Sequence, residues 1–271
     1  MSTPATGGRS LSKSVAVGVL LGAAFLLSVL IYKELFMVLA AAAAGAGAWE
    51  LSSALRLKGW YVPRVPAVVG SVLIMPAAFY GGAELQWLIS LLIVAALILW
   101  RTVHLLWEAR EAPRQALAHT LRDYAASAFV VIYLPLMTSF TMLLLRRPDG
   151  ASWVITFVVT VALIDTAGYL VGRKLGKHKL APGVSPKKTW EGLVASISAG
   201  VISAVILTQV FWDFDWWVGI LLAAVLLLAA VFGDLAESLI KRDLGVKDMS
   251  SLLPGHGGIM DRLDSILPSA L

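Results

Sequence analysis

The stretch WWVGILLAAVLLLAAVF, residues 216–232, holds no charged side chain. A helix rises about 1.5 Å per residue and the apolar core of a bilayer is about 30 Å thick, so this run reads as a membrane-spanning helix. Charge returns at once beyond it, in GDLAESLIKRDLGVKD (residues 233–248). Working outward, seven further apolar runs lie at approximately 15–32, 35–51, 65–80, 85–100, 125–145, 152–171 and 193–211. The third and fourth are at the short end for a span and call for snorkelling flanks or local thinning. Of the 271 residues 59% are apolar, about 160 side chains, enough for about eight spans of about 20 residues each. Only 14% are charged and mean hydropathy is +0.82, which excludes an ordinary soluble domain, a disordered chain and a coiled coil. The absence of cysteine excludes a disulfide scaffold, thiol catalysis and Cys-ligated zinc. The expected architecture is an all-α, polytopic membrane bundle of about eight transmembrane helices.

Lys and Arg orient it. With the N-terminus in the cytoplasm and the spans alternating, the inner segments hold Arg9 and Lys13, then Arg56, Lys58 and Arg64, then Arg101, Arg110, Arg114 and Arg122. They also hold the basic residues of 173–188 and 241–262. Only Lys33, Arg146 and Arg147 are left for the outer side. This asymmetry is what the positive-inside rule requires, and it accounts for the net charge of +5 without a nucleic-acid partner. Tryptophans agree with it: Trp87, Trp153, Trp212, Trp216 and Trp217 fall at outer ends, Trp49, Trp60, Trp100 and Trp107 at inner ones. The first run is longer than a signal-peptide core and reads as an uncleaved first helix. Residues 101–124 are too polar to span and read as a cytoplasmic helix in the interface, broken near Pro113. The chain thus divides into 1–124, four spans plus this interfacial helix, and 125–271, four spans with the polar loops. The small-residue run 41–47 permits close packing, within the bundle or in a homodimer.

Chemistry concentrates in two inner segments. In 173–192, six Lys or Arg include Lys187 and Lys188, which stand with Ser185, Pro186 and Thr189 at the mouth of a helix, a grouping of hydroxyls, ammoniums and helix N-terminus suited to phosphate. Binding to anionic headgroups explains the charge equally well. In 233–265, Asp234, Ser238 and Lys241 share one helical face, and Asp261 and Asp264 share another. Carboxylates of this kind suit Mg²⁺ together with phosphate oxygens. The glycine-rich PGHGG, residues 254–258, lets backbone approach a ligand. Asp165 stands inside the sixth run, where an ionisable residue faces the bundle interior as a functional or a paired structural group. Gly168 and Gly172 follow it as a GxxxG packing face. Glu50 and His104 read as interfacial bystanders.

The run from Ser238 through Lys241-Arg242, Lys247-Asp248, Ser250, Leu253-Pro254, His256-Gly257-Gly258-Ile259 and Asp261-Arg262-Leu263-Asp264 resembles the signature of CDP-diacylglycerol synthases, also called phosphatidate cytidylyltransferases. Asp165 with Gly168, Gly172 and Gly176, the stretch 185–192, and Gly233-Asp234 resemble the same family. The resemblance covers the C-terminal 40% of the chain. It implies transfer of a cytidylyl group from CTP to phosphatidate at the cytoplasmic face of the cell membrane, with Mg²⁺ and a further metal ion beside it. Carried over by position, Asp234, Asp261 and Asp264 are the metal-binding and catalytic carboxylates and Lys241 acts with them. Ser238 would contact substrate phosphate, and Lys187 and Lys188 the triphosphate. Asp165, Ser185, Thr189, Arg242, Lys247, His256, Gly257, Gly258 and Arg262 complete the implied substrate site. The family continues into a further apolar helix, so a ninth helix is expected to be truncated or absent. Two alternatives stay open: the same chemistry on another lipid phosphate, and a transporter with Asp165 as its coupling carboxylate.

Overall fold

The structure is a computed structural model and describes residues 11–108, 119–181, 185–246, 248–250, 252 and 257–271. It is almost entirely helical. Helices α1 (Leu11–Ile31) and α2 (Lys33–Leu57) are followed by α3 (Arg64–Glu108), α4 (Thr120–Val131), a π-helical turn (Ile132–Leu136) and α5 (Met137–Leu145). Next come α6 (Gly150–Leu175), strands β1 (Lys179–Ala181) and β2 (Ser185–Thr189), α7 (Trp190–Trp212) and α8 (Trp216–Leu244), and the short α9 (Met260–Leu263) and α10 (Ile266–Ser269).

Six segments among the described residues are long and apolar enough to cross a membrane: α2, α3, Thr120–Leu145, α6, α7 and α8. The longest, α3, is two spans. Gly82 has φ 72° and ψ −162°, a conformation open essentially to glycine alone. A Cβ on Gly70 would lie 2.7 Å from Ile93, although residues that far apart on a straight helix are separated by about 35 Å. The arms 64–81 and 83–108 therefore fold back on one another, and they are the third and fourth apolar runs. With α1 supplying the first, all eight runs are helical.

Other element ends have local causes. The Thr189 side chain caps α7 by accepting from the Gly192 amide at 3.2 Å. Gly245, left-handed at φ 72°, ends α8 as its amide and that of Val246 return to the Arg242 and Lys241 carbonyls. The π-turn contains Pro135, whose missing N–H breaks the α-helical ladder.

The close contacts run through small residues, as association in lipid favours. Where α6 crosses α7, a Cβ on Gly192 would sit 2.7 Å from the Gly168 carbonyl and 3.2 Å from the Gly172 Cα, and the Ser196 hydroxyl donates to the Ile164 carbonyl at 2.7 Å. The GxxxG expected from the sequence is thus a packing face. On α2, Gly47 admits the Leu134 side chain. The apolar surface pointing outward is lined by exposed Leu, Ile, Val and Trp.

One expectation is borne out in place and one needs correction. The segment 185–189 lies at a helix mouth as expected, as a strand paired antiparallel with Lys179–Ala181. Ser185 precedes a proline and is biased to extended backbone. Residues 101–108 are the end of α3 and do not form a separate surface helix. Arg101 there is buried, 2.9 Å from both Asp123 and Glu108. The remainder around Pro113 lies outside the described residues.

Candidate active site

The C-terminal parts of α6 and α8, strand β2 and the segment 257–265 meet around an open cavity of about 930 Å³. Asp165, Asp234, Asp261 and Asp264 line it, together with Lys188, Thr189, Arg173, Lys179, Arg262 and Ser265. Four carboxylates and four cations thus share one polar basin against an apolar bundle. Its volume is that of a small-molecule site.

Helix α8 supplies the first wall. A Cβ on Gly233 would strike the Asp264 carbonyl and lie 2.8 Å from Pro268 Cγ, so glycine there brings the C-terminal segment against the helix. Asp234 follows, and its Oδ2 is 2.5 Å from Lys188 Nζ while its Oδ1 is 3.5 Å from the Ser238 hydroxyl. One turn on, Glu237 is fully buried. Lys241 Nζ bridges Glu237 Oε2 at 3.0 Å and Asp261 Oδ1 at 2.9 Å.

The second wall is the 257–265 segment. Gly257 has φ +85°, which makes the turn that aims Asp261 back into its own loop. Asp261 Oδ2 accepts from the Gly258 amide at 2.7 Å and the Met249 amide at 3.0 Å. Asp264 Oδ1 accepts from the Ser265 amide at 2.8 Å. Burial pushes the Asp264 carboxyl above the usual carboxylate range; the Asp234 charge reinforces the shift, and the bond to Glu237 opposes it.

The third wall is the β-hairpin. Glu191 on α7 holds its base, accepting from the His178 amide at 3.2 Å and lying 2.7 Å from its Nδ1. Lys188 points inward from β2 to Asp234.

Of the residues singled out from sequence, Asp165, Lys188, Thr189, Asp234, Asp261, Arg262 and Asp264 line the cavity. Thr189 is buried there as the α7 cap. Ser238 and Lys241 stand directly behind the lining carboxylates. Gly257 and Gly258 are buried in the turn, and Arg242 is exposed near the end of α8. Lys247 and His256 lie outside the described residues, as do the side chains of Ser185 and Lys187.

The sequence reading gave no role to Glu237, a carboxylate one turn from Asp234 whose i, i+4 relation to Lys241 was available. It misread Glu50. That side chain is only 3% exposed and takes hydrogen bonds from Ser250, Ile259 and Met260, so it is no interfacial bystander. Nothing local to α2 signals this. His104 stacks on Tyr61 at 4.5 Å and pairs with Glu108 at 3.3 Å, away from the cavity.

Among the described residues no three Asp, Glu or His side chains already surround a single point. A Mg²⁺ ion typically takes one or two protein carboxylates and completes its shell with water and substrate phosphate. Asp234, Asp261 and Asp264 line the same cavity and could supply such carboxylates, with Asp261 the most fully hydrogen-bonded of the three.

The profile of the cytidylyltransferase family matches residues 12–271. The chain is 37% identical to the phosphatidate cytidylyltransferase of Mycobacterium leprae over 284 residues, covering all of this chain and 88% of the relative. It is 34% identical to that of Mycobacterium bovis over 270 residues, covering 97% and 87%. The match to the Staphylococcus aureus protein of the same name is 43% over 123 residues, under half of each chain. A family match spanning nearly the whole chain, around a basin of carboxylates and lysines at one end of a polytopic bundle, places this protein in the cytidylyltransferase family.

Proposed function

We propose that the protein transfers a cytidylyl group from CTP to phosphatidate, giving CDP-diacylglycerol and pyrophosphate. The observation that carries this reading is the cavity where Lys188, Asp234, Asp261 and Asp264 meet at the end of the bundle. A site there is reached by a dissolved nucleotide from one side and by a lipid phosphate from the other. We place it at the cytoplasmic face of the cell membrane, because the basic segments share that end.

An oxygen of the lipid phosphate bonds to the α-phosphorus of CTP, and the bond from that phosphorus to the bridging oxygen of the β-phosphate breaks. The phosphate monoester is already largely ionised at neutral pH, so no strong general base is needed. The obstacle is repulsion between two polyanions. A divalent cation, when bound, supplies neutralisation between them. Asp234 and Asp264 would hold it, with Asp261 beside them.

The chain's own cations do the rest. Lys188, Lys179, Arg173 and Arg262 face the cavity and match the triphosphate charge. Lys188 pairs with Asp234 across the cavity, and a triphosphate there would offer it a second anion. Lys241, held between Glu237 and Asp261, fixes Asp261 from behind.

The test is direct. The purified protein is given Mg²⁺, phosphatidate and labelled CTP, and label is counted in the organic phase. Label that requires phosphatidate and metal supports the reading. Label that appears only with a different lipid phosphate assigns another acceptor, and none with any lipid phosphate removes the cytidylyltransferase reading.

A further inference from the structure

Glu50 lies near the inner end of α2, in the half of the chain that carries none of the cavity's carboxylates. It is 3% exposed and does not line the cavity. A buried carboxylate persists only where donors satisfy it. Its Oε1 accepts from the Ser250 hydroxyl at 2.5 Å and the Ile259 amide at 3.0 Å, and its Oε2 from the Met260 amide at 2.9 Å. A Cβ on Gly258 would lie 2.6 Å from Glu50 Oε2 and 3.1 Å from Asp261 Oδ2. The glycine turn is therefore gripped on both sides. Asp261 closes it from within through the Gly258 and Met249 amides, and Glu50 closes it from a separate helix. Asp264 follows six residues after Gly258.

We propose that Glu50 is a positioning residue: it anchors the 258–260 backbone to α2 and so fixes where Asp261 and Asp264 stand relative to Asp234. The proposal rests on the cytidylyltransferase reading for its kinetic consequences, though not for the grip itself. The geometry requires both carboxylate oxygens to accept. Glutamine has the same shape but turns one acceptor into a donor, which then faces a backbone N–H.

The experiment compares wild type, Glu50→Gln and Ser250→Ala in the full chain. It reads kcat, KM for CTP, the half-saturating Mg²⁺ concentration and amide exchange of the 257–264 peptide. For Glu50→Gln, kcat falls by about ten- to a hundredfold, the cost of a misplaced catalytic group, while KM for CTP moves by less than about threefold. Half-saturating Mg²⁺ rises, and exchange quickens at 257–264 while α6 and α8 are unchanged. Ser250→Ala, which leaves α2 untouched, moves the same quantities in the same direction by less. Unchanged kcat and unchanged exchange at 257–264 would overturn the proposal. So would faster exchange spread evenly over all helices, since Glu50 would then hold the bundle rather than the turn. If wild type shows no turnover while Glu50→Gln still loosens 257–264, the functional reading fails and the grip stands.

Discussion

Lys188 pairs with Asp234 from the cavity side, and Lys241 pairs with Asp261 from behind. They should fail differently. Lys188→Ala removes a cation that faces incoming phosphate, so KM for CTP should rise by about tenfold, the equivalent of about 1.4 kcal/mol, and by more than KM for phosphatidate. Equal changes in both would move the triphosphate elsewhere. Asp261→Asn leaves Lys241 facing an amide and weakens the acceptor for two backbone N–H groups. Turnover should drop by at least about a hundredfold while helical content by circular dichroism is retained; near-normal turnover would remove Asp261 from the reaction. At this scale the sequence was readable where spacing is short. Asp234, Ser238 and Lys241 do share a face, and Asp261 and Asp264 do meet the same cavity. Glu50 was unreadable because its partners lie about two hundred positions away, and its flanks, Trp49 and Leu51, look like any helix end.

Between elements, glycine sets the distances. Gly192 lets α7 rest on the backbone of α6, and that crossing carries Thr189 and β2 into position. Gly192→Ala should force the two helices apart and cost about 1–3 kcal/mol, as overpacking does. A thermal-shift assay should show a lower midpoint, with CTP-dependent turnover lost in parallel because Lys188 moves with the strand. The helices and their small-residue faces were legible from apolar run length and from GxxxG. The strand pair was not: Ser185–Thr189 has the residue types of a phosphate site, and five residues paired with three at Lys179–Ala181 carry no periodicity to show it. The fold-back within α3 was half legible, since the break between the third and fourth runs was visible. That a single residue, Gly82, makes the reversal follows from its backbone angles alone.

Across the whole molecule the two ends differ in kind. At one end Lys33 donates to the Arg147 carbonyl, Arg146 lies against Gly82, and Trp153 and Trp212 stack 4.1 Å apart with both indoles donating to Asp149. These are the three basic residues and two of the tryptophans that charge counting assigned to the outside. At the other end Lys58 donates to the Asp243 carbonyl and Arg122 to that of Gly59. The alternation read from Lys and Arg is thus matched by spatial grouping. Because the chain has no cysteine, its orientation can be tested with single introduced thiols. Arg147→Cys should react with an impermeant maleimide on intact cells, and Lys177→Cys only after the membrane is opened; the reverse pattern would invert the topology. The reach of Glu50 from α2 to Met260 also sets a schedule for synthesis. At about 5–20 residues per second a ribosome needs about 10–40 s to travel from one partner to the other. Throughout that interval α2 carries a carboxylate whose partners do not yet exist. The nascent protein therefore holds α2 well before it holds the turn that Glu50 grips.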